Sequence, residues 1–271
     1  MLENSPLGQK TTYQNKYTPA LLFPIARIHK RVEIGIDDHH LPFIGYDIWN
    51  AYEVSWLNPK GKPIVQLLEI IYPANSKFII ESKSLKLYLN SFNNTSFNSS
   101  DEALQTIKQD LEQTLQTRIT LNLVDPETKL GIEAPQGTLI DYLEVEITEY
   151  FPNPKLLVIK QDITHETVYS NLLKSNCLIT SQPDWGTIII KYHGQQIDHA
   201  SLLKYIISFR DHNEFHEQCV ERIFKDIMDQ CDPKILTVYA RYTRRGGIDI
   251  NPVRSNDPQF IIPQNLRLIR Q

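Results

Sequence analysis

The stretch Lys174-Ser175-Asn176-Cys177-Leu178-Ile179-Thr180-Ser181-Gln182-Pro183-Asp184-Trp185-Gly186-Thr187 sets a cysteine seven residues ahead of an aspartate. A thiolate is a strong nucleophile, and a carboxyl group can carry a proton to or from the atom that the thiolate attacks. Pro183 before the aspartate and Gly186 two residues after it make a short, stiff frame for the pair. Three further groups could join them. Phe215-His216-Glu217 puts an imidazole beside a carboxylate, and Glu81-Ser82-Lys83 sets opposite charges ahead of an apolar-striped segment. Arg244-Arg245-Gly246-Gly247 places two guanidinium groups beside two glycines, a combination able to receive a phosphate.

Taken singly, each has a plain structural explanation. A cysteine is most often a small buried hydrophobe, and aspartate in Pro-Asp-Trp-Gly suits a turn. Glu217 suits the first turn of a helix, where the dipole favours negative charge. Arg-Arg-Gly-Gly suits a connection between strands.

The elements that must position these groups can be read from period and punctuation. Met1 to Asp47, rich in polar and turn residues apart from Ala20 to Ala26, reads as an arm laid over the surface. Ile48 to Tyr72 reads as two strands around Asn58-Pro59-Lys60-Gly61-Lys62-Pro63, with Leu68, Ile70 and Tyr72 on one side and Val65, Leu67 and Ile71 on the other. Between Ser84 and Phe92 the period changes, and Leu85, Tyr88, Leu89 and Phe92 share a helical face. Ser99 and Glu102 have capping-box spacing ahead of the stripe Leu104, Ile107, Leu111 and Leu115. Arg118 to Val124 alternates as a strand and Tyr142 to Tyr150 less cleanly. Phe151-Pro152-Asn153-Pro154 marks a boundary, because two close prolines suit neither helix nor central strand. The expected modules are 1–150, including the arm, and 151–271.

The chain repeats itself. A shift of 117 residues lays Ile80 to Phe92 onto Ile197 to Phe209, with Ile, Ser, Leu, Tyr, Ser and Phe coinciding. Cys177 to Ser181 and Thr187 to Tyr192 read as two strands, followed by a helix from Ser201 and a longer one from Asn213 to Gln230. Strands Ile235 to Thr243 and Ile248 to Val253 complete the half. Each half is thus strand, strand, helix, helix, strand, strand, an α+β arrangement in which an antiparallel sheet carries two helices on one face. Only the second half has a cysteine and an aspartate ahead of its helix pair. Duplication followed by division of labour, with a site assembled from both halves, would produce that asymmetry. No G-x-G-x-x-G or Walker loop occurs, so a nucleotide cannot be held in the usual strand-to-helix glycine turn.

Length and composition bound the function. At 271 residues the chain fits two modules, and 41% hydrophobic with 22% charged residues suits an ordinary core. A net charge of -4 argues against a broad nucleic-acid-binding face. No apolar stretch approaches a membrane span and Met1 to Pro6 holds no signal core, so the expected compartment is the cytoplasm. Cys177, Cys219 and Cys231 form no C-x-x-C pair and are expected as reduced thiols.

Together, E-S-K-S-x-K at Glu81 to Lys86, the S-N-C-L-I-T-S-Q-P-D-W-G-T segment, F-H-E at Phe215 to Glu217 and R-R-G-G-I-D-I-N-P at Arg244 to Pro252 closely resemble the NADPH-dependent 7-cyano-7-deazaguanine reductases of the queuosine pathway. The resemblance is to their long, two-module form, includes L-L-F-P-I at Leu21 to Ile25, and covers essentially the whole chain. It shows no departure at the functional positions. It implies two tandem tunnelling-fold modules and the four-electron reduction of a nitrile to a primary amine, consuming two NADPH. It further implies that Cys177 forms a covalent thioimide, that Asp184 donates the proton the addition needs, and that His216 shares in proton transfer. Substrate contacts fall by the same resemblance to Glu81, Ser82, Lys83, His216 and Glu217, and NADPH contacts to Lys83, Ser84, Arg245 and Gly246. No metal is implied, and the implied assembly is a homodimer.

Two other readings use the same residues. A zinc-dependent pterin or purine hydrolase resembling GTP cyclohydrolase I could ligate through His216 and Cys219, which share a helical face at i, i+3. Against it, Cys219 lies beside the apolar stripe Val220, Ile223, Phe224 and Ile227, and no second ligand pair is evident. A non-catalytic base-binding module would retain its ligand in Cys177→Ala and lose nothing else.

Overall fold

A computed structural model describes residues 13–129, 131–260, 265 and 267–271. Its strands are β1 (Pro24–Ala26), β2 (Ile44–Leu57), β3 (Pro63–Pro73), β4 (Phe78–Ile80), β5 (Thr120–Val124), β6 (Thr138–Leu139), β7 (Ile159–Asn176), β8 (Pro183–Ile197), β9 (Ile235–Tyr242) and β10 (Ile248–Ser255). Its α-helices are α1 (Ile28–Glu33), α2 (Ser82–Asn90), α3 (Ser100–Leu115), α4 (His199–Ile207) and α5 (His216–Cys231). Among the described residues no helix is long and apolar enough to cross a membrane.

Two units are defined by packing. The first draws on Met1–His29, Ile48–Leu130 and Arg244–Asp249, the second on Lys30–Asp47, Gly131–Thr243 and Ile250–Gln271. A cut at Phe151 separates the two sequence repeats, whereas these units interleave along the chain.

In the first unit β5, β3 and β2 lie side by side. β3 and β5 are antiparallel, with Leu68 opposite Leu123 and Ile70 opposite Leu121. The period of two holds: Leu68, Ile70 and Tyr72 are buried while Val65 on the other side is exposed. α3 starts where Ser99 Oγ accepts the amide of Glu102 at 3.1 Å. The Glu102 carboxylate turns to the amide of Asn98 instead of completing the box. The buried stripe of α3 is Ala103, Ile107, Leu111 and Leu115, one position off the expected Leu104.

The expected surface arm is partly a strand. β1 pairs antiparallel with β4, Ile25 opposite Ile79, and the buried Arg27 guanidinium donates to Ser76 Oγ. The remainder of that expectation at 1–12 lies outside the described residues.

In the second unit the sheet order is β10-β9-β8-β7-β6, antiparallel except for the short parallel pair β6–β7. α5 packs on β9 and α4 on β7. Val220, Ile223, Phe224 and Ile227 from α5 and Leu202 and Ile206 from α4 are buried, as are Ile188, Ile190, Leu236 and Val238 of the sheet. Burying each such side chain is worth roughly 1.5–3 kcal/mol. Behind α5, the Glu221 carboxylate accepts from Arg31 at 2.8 and 2.9 Å and from Arg254 at 2.8 Å. Arg254 also reaches Asp47 at 2.9 Å, so these buried charges are paired.

Tyr142 to Tyr150 forms no strand. Asp141 ends the extended run by accepting the Ser170 hydroxyl at 2.6 Å and the Asn171 amide at 3.0 Å. The following residues are all partly or fully exposed, Tyr142 at 86%, so alternation has no core to serve.

The repeat is preserved in hydrogen bonds. Glu81 caps α2 and Asp198 caps α4, each accepting first-turn amides. Ser84 Oγ donates to the Glu81 carbonyl at 2.6 Å and accepts the Phe23 amide; Ser201 Oγ donates to the Asp198 carbonyl at 2.8 Å and accepts the Val158 amide. Tyr88 donates to Asp110 and Tyr205 to Asp226, both at 2.6 Å.

Candidate active site

β7 and β8 form a long hairpin whose register places Ser175 opposite Asp184 and Asn176 opposite Pro183. Cys177 therefore opens the hairpin turn, where a strand was expected. Its amide donates to the Gln182 carbonyl at 2.9 Å, and its carbonyl accepts the Ser181 amide at 3.1 Å. Ser181 takes a left-handed φ of 53°, which closes the turn over the apolar Leu178 and Ile179. The seven-residue spacing is thus the spacing of a turn, and it returns the carboxyl group to the thiol's end of the hairpin.

The segment ahead of α5 is tied to the same place. The Asn176 amide donates to the His212 carbonyl at 2.8 Å, and the Glu214 amide donates to the Asn176 carbonyl at 3.0 Å. Asn213 Nδ2 reaches Ser181 Oγ at 3.1 Å. α5 consequently begins at His216, with His216 and Glu217 buried in its first turn.

His216 Nε2 lies 3.4 Å from Asp184 Oδ2, and both side chains are nearly withdrawn from solvent. Its other ring nitrogen, Nδ1, is buried and has no hydrogen-bond partner among the described residues. The ring lies flat on Tyr242, with centroids 3.8 Å apart and planes 7° from parallel. Behind this stack the Tyr242 hydroxyl is buried near the Cys219 thiol and Ser175, with no hydrogen-bond partner among the described residues. Burial, with the charge of Glu214 second, pushes the Cys219 thiol up to about 12. Burial alone would also raise Glu214, but hydrogen bonds from His212 and the Arg222 guanidinium outweigh it and hold that carboxyl below its ordinary value.

The first unit holds the other expected residues. Glu81 Oε1 accepts the Lys83 amide at 2.8 Å and Oε2 the Ser84 amide at 2.7 Å. Burial raises its carboxyl, against the pull of those two amides. Ser82 and Lys83 occupy the first turn of α2, and the Ser84 side chain is buried between Glu81 and Phe23. Arg245-Gly246-Gly247-Ile248 is a two-residue hairpin turn closed by Arg245 and Ile248, with φ of 63° and 78° at the glycines, the primed geometry that strand twist favours. A cleft beside it is lined by Lys86, Asn90, Gly246, Gly247 and Glu53, with Lys86 Nζ 3.4 Å from the Glu53 carboxylate. Arg244 stacks on Tyr52 at 3.5 Å.

The structure thus groups Cys177, Asp184, His216 and Glu217 in the second unit, and Glu81, Ser82, Lys83, Ser84, Arg245 and Gly246 in the first. Sequence reading missed Tyr242, Ser175 and Glu214. The one available signal was Gly186, which pairs with Tyr242 across β8 and β9.

Residues 13–123 match the family described as nitrile reductase, 7-cyano-7-deazaguanine-reductase N-term, and residues 183–259 match that described as QueF-like protein. The NADPH-dependent 7-cyano-7-deazaguanine reductase of Coxiella burnetii is 53% identical over 271 residues, covering 99% of this chain and 97% of the relative. Proteins of the same name from Dechloromonas aromatica (53% identical, 98% of this chain and 95% of the relative) and Rickettsia bellii (52% identical, 100% and 99%) match as fully. By these matches the chain, with its two-unit α+β scaffold, falls among the nitrile reductases. The chain belongs to the NADPH-dependent 7-cyano-7-deazaguanine reductase family.

Proposed function

We propose that the protein reduces 7-cyano-7-deazaguanine to 7-aminomethyl-7-deazaguanine with two NADPH, through a thioimide on Cys177. The observation that carries the mechanism is the Asp184–His216 contact at 3.4 Å, set at the hairpin end that Cys177 opens. The Cys177 thiolate adds to the nitrile carbon. As the carbon–sulfur bond forms, an electron pair of the triple bond moves to nitrogen, which takes a proton from Asp184. Bound NADPH supplies hydride to carbon in each of two reduction steps. Between them, the carbon–sulfur bond breaks, sulfur leaves as thiolate and an imine remains. His216, held against Asp184, moves the protons that the later steps need. General acid–base groups of this kind contribute about 10²–10⁴-fold.

We assign substrate recognition to His216 and Glu217 and, in the first unit, to Glu81, Ser82 and Lys83. The Glu217 carboxylate is assigned the paired ring N–H and exocyclic amine of the deazaguanine, and Glu81 in the substrate pocket keeps lone pairs beyond the two its helix amides use. NADPH falls to Lys83, Ser84, Arg245 and Gly246. Arg245 and Lys83 supply cationic donors for its phosphates, and the glycine turn leaves the backbone open to close approach. We further propose that 1–150 and 151–271 are the two tandem modules in evolutionary terms. The remaining assignments are a cytoplasmic homodimer with neither nucleic acid nor metal as a partner.

The test is to mix protein, NADPH and the nitrile, and to follow loss of reduced-nicotinamide absorbance against amine formed. Two NADPH per amine and no turnover in Cys177→Ala are expected. Oxidation that survives in Cys177→Ala would overturn the covalent route.

A further inference from the structure

We propose that Tyr242 is a positioning residue for the reduction, fixing the plane of His216 so that Nε2 faces Asp184. The inference rests on the catalytic reading of His216 given above. An imidazole on a helix's first turn is free to rotate about χ2, and a single contact at 3.4 Å does not fix its plane. A parallel aromatic surface does, and the Tyr242 ring supplies one at 3.8 Å and 7°.

Tyr242 is itself held from several directions. Its amide donates to Asn251 Oδ1 at 3.1 Å, and its carbonyl accepts Gln271 Nε2 at 3.1 Å. Its hydroxyl end is buried, near Cys219 and Ser175, without a hydrogen bond among the described residues, so packing and not a polar contact holds it there. On the neighbouring strand it faces Gly186, where a Cβ would come 3.3 Å from Tyr242 Cδ1 and 3.4 Å from a Leu173 methyl group. A methyl group at Gly186 would press on the Tyr242 ring by a few tenths of an ångström. The glycine leaves room for the ring that supports His216, two residues from the carboxyl group that His216 meets.

The experiment compares wild type, Tyr242→Phe, Tyr242→Leu and Gly186→Ala, each shown by thermal melting to be folded at the assay temperature. Tyr242→Leu should lower kcat at least tenfold, leave KM for NADPH unchanged and alter the pH profile of kcat. Tyr242→Phe, which keeps the stacked ring, should recover most of that loss, and Gly186→Ala should fall between them. The ring-current shift of the His216 C–H resonances, read by NMR without substrate, should be large in wild type and Tyr242→Phe and lost in Tyr242→Leu. That readout separates the two ideas: a wild type with the shift but no nitrile reduction would count against the assigned reaction, not the stack. Equal losses in the Phe and Leu variants, or a Leu variant with unchanged kcat and pH profile, would overturn the role.

Discussion

The His216 imidazole and the Asp184 carboxyl group meet at 3.4 Å, both nearly withdrawn from solvent, at the end of a hairpin whose turn begins with Cys177. Asp184→Asn keeps the shape and removes the proton, so kcat should fall by about 10²–10⁴-fold. Intact-mass analysis without NADPH should show slower addition of the nitrile to Cys177. Turnover within threefold of wild type would show that the proton comes from elsewhere.

Cys219 and Cys231 should resist alkylation. Burial pushes them up to about 12 and about 11, so neither is a thiolate at neutral pH. Brief iodoacetamide treatment of the native protein followed by peptide mass analysis should leave both unmodified, whereas in denaturant all three cysteines react. Rapid native labelling of Cys219 would mean that the wall behind Tyr242 opens.

Glu214 gives stability a definite pH sign. A carboxyl group lowered in the folded state stabilises it above the ordinary glutamate value, 4.5, and that contribution is lost as pH falls through the folded value. Glu214→Gln should therefore be less stable than wild type at neutral pH, with the gap closing in acid. Urea midpoints at several pH values measure it, and a gap that widened in acid would reverse the assignment.

The repeated tyrosine–carboxylate bonds should matter alike in both units. Tyr88→Phe strips a donor from the half-buried Asp110, and Tyr205→Phe strips one from the half-buried Asp226. A hydrogen bond to a charged group is worth about 1.5–3 kcal/mol, so each variant should lose stability of that order in denaturant melts. A loss confined to one variant would show that the second bond has become dispensable.

Arg245 should influence cofactor choice. Arg245→Ala is expected to erode the preference for NADPH over NADH, because the additional phosphate loses a guanidinium partner. The ratio of kcat/KM for the two cofactors is the measurement, and an unchanged ratio removes Arg245 from that role.

Periodicity made the scaffold legible and left side-chain partnerships obscure. Ser84 and Ser201, aligned by the 117-residue shift, make matching hydrogen bonds, because sequence similarity there preserves a capping geometry. Leu178 and Ile179 mislead because an apolar pair in a hairpin turn reads as strand, although Ile179 is 38% exposed. Tyr142 to Tyr150 misleads for the opposite reason, since its residues alternate without a sheet to pair with. Pro24 to Ala26 is too short for any period to declare it a strand. Tyr242 was hidden because its partner His216 lies on another element, and only strand register connects it with Gly186.

The interleaving of the two units has a consequence for synthesis. Asn50 and Tyr52 donate to Asp249 at 2.7 and 2.6 Å, and the Tyr52 amide donates to the Gly247 carbonyl at 2.9 Å, so the first unit closes on residues made nearly last. On the ribosome its edge strand β2 must wait, with one row of backbone groups unpaired and open to association, until Arg244–Asp249 has emerged. Amino-terminal fragments that stop before that hairpin should be prone to aggregation.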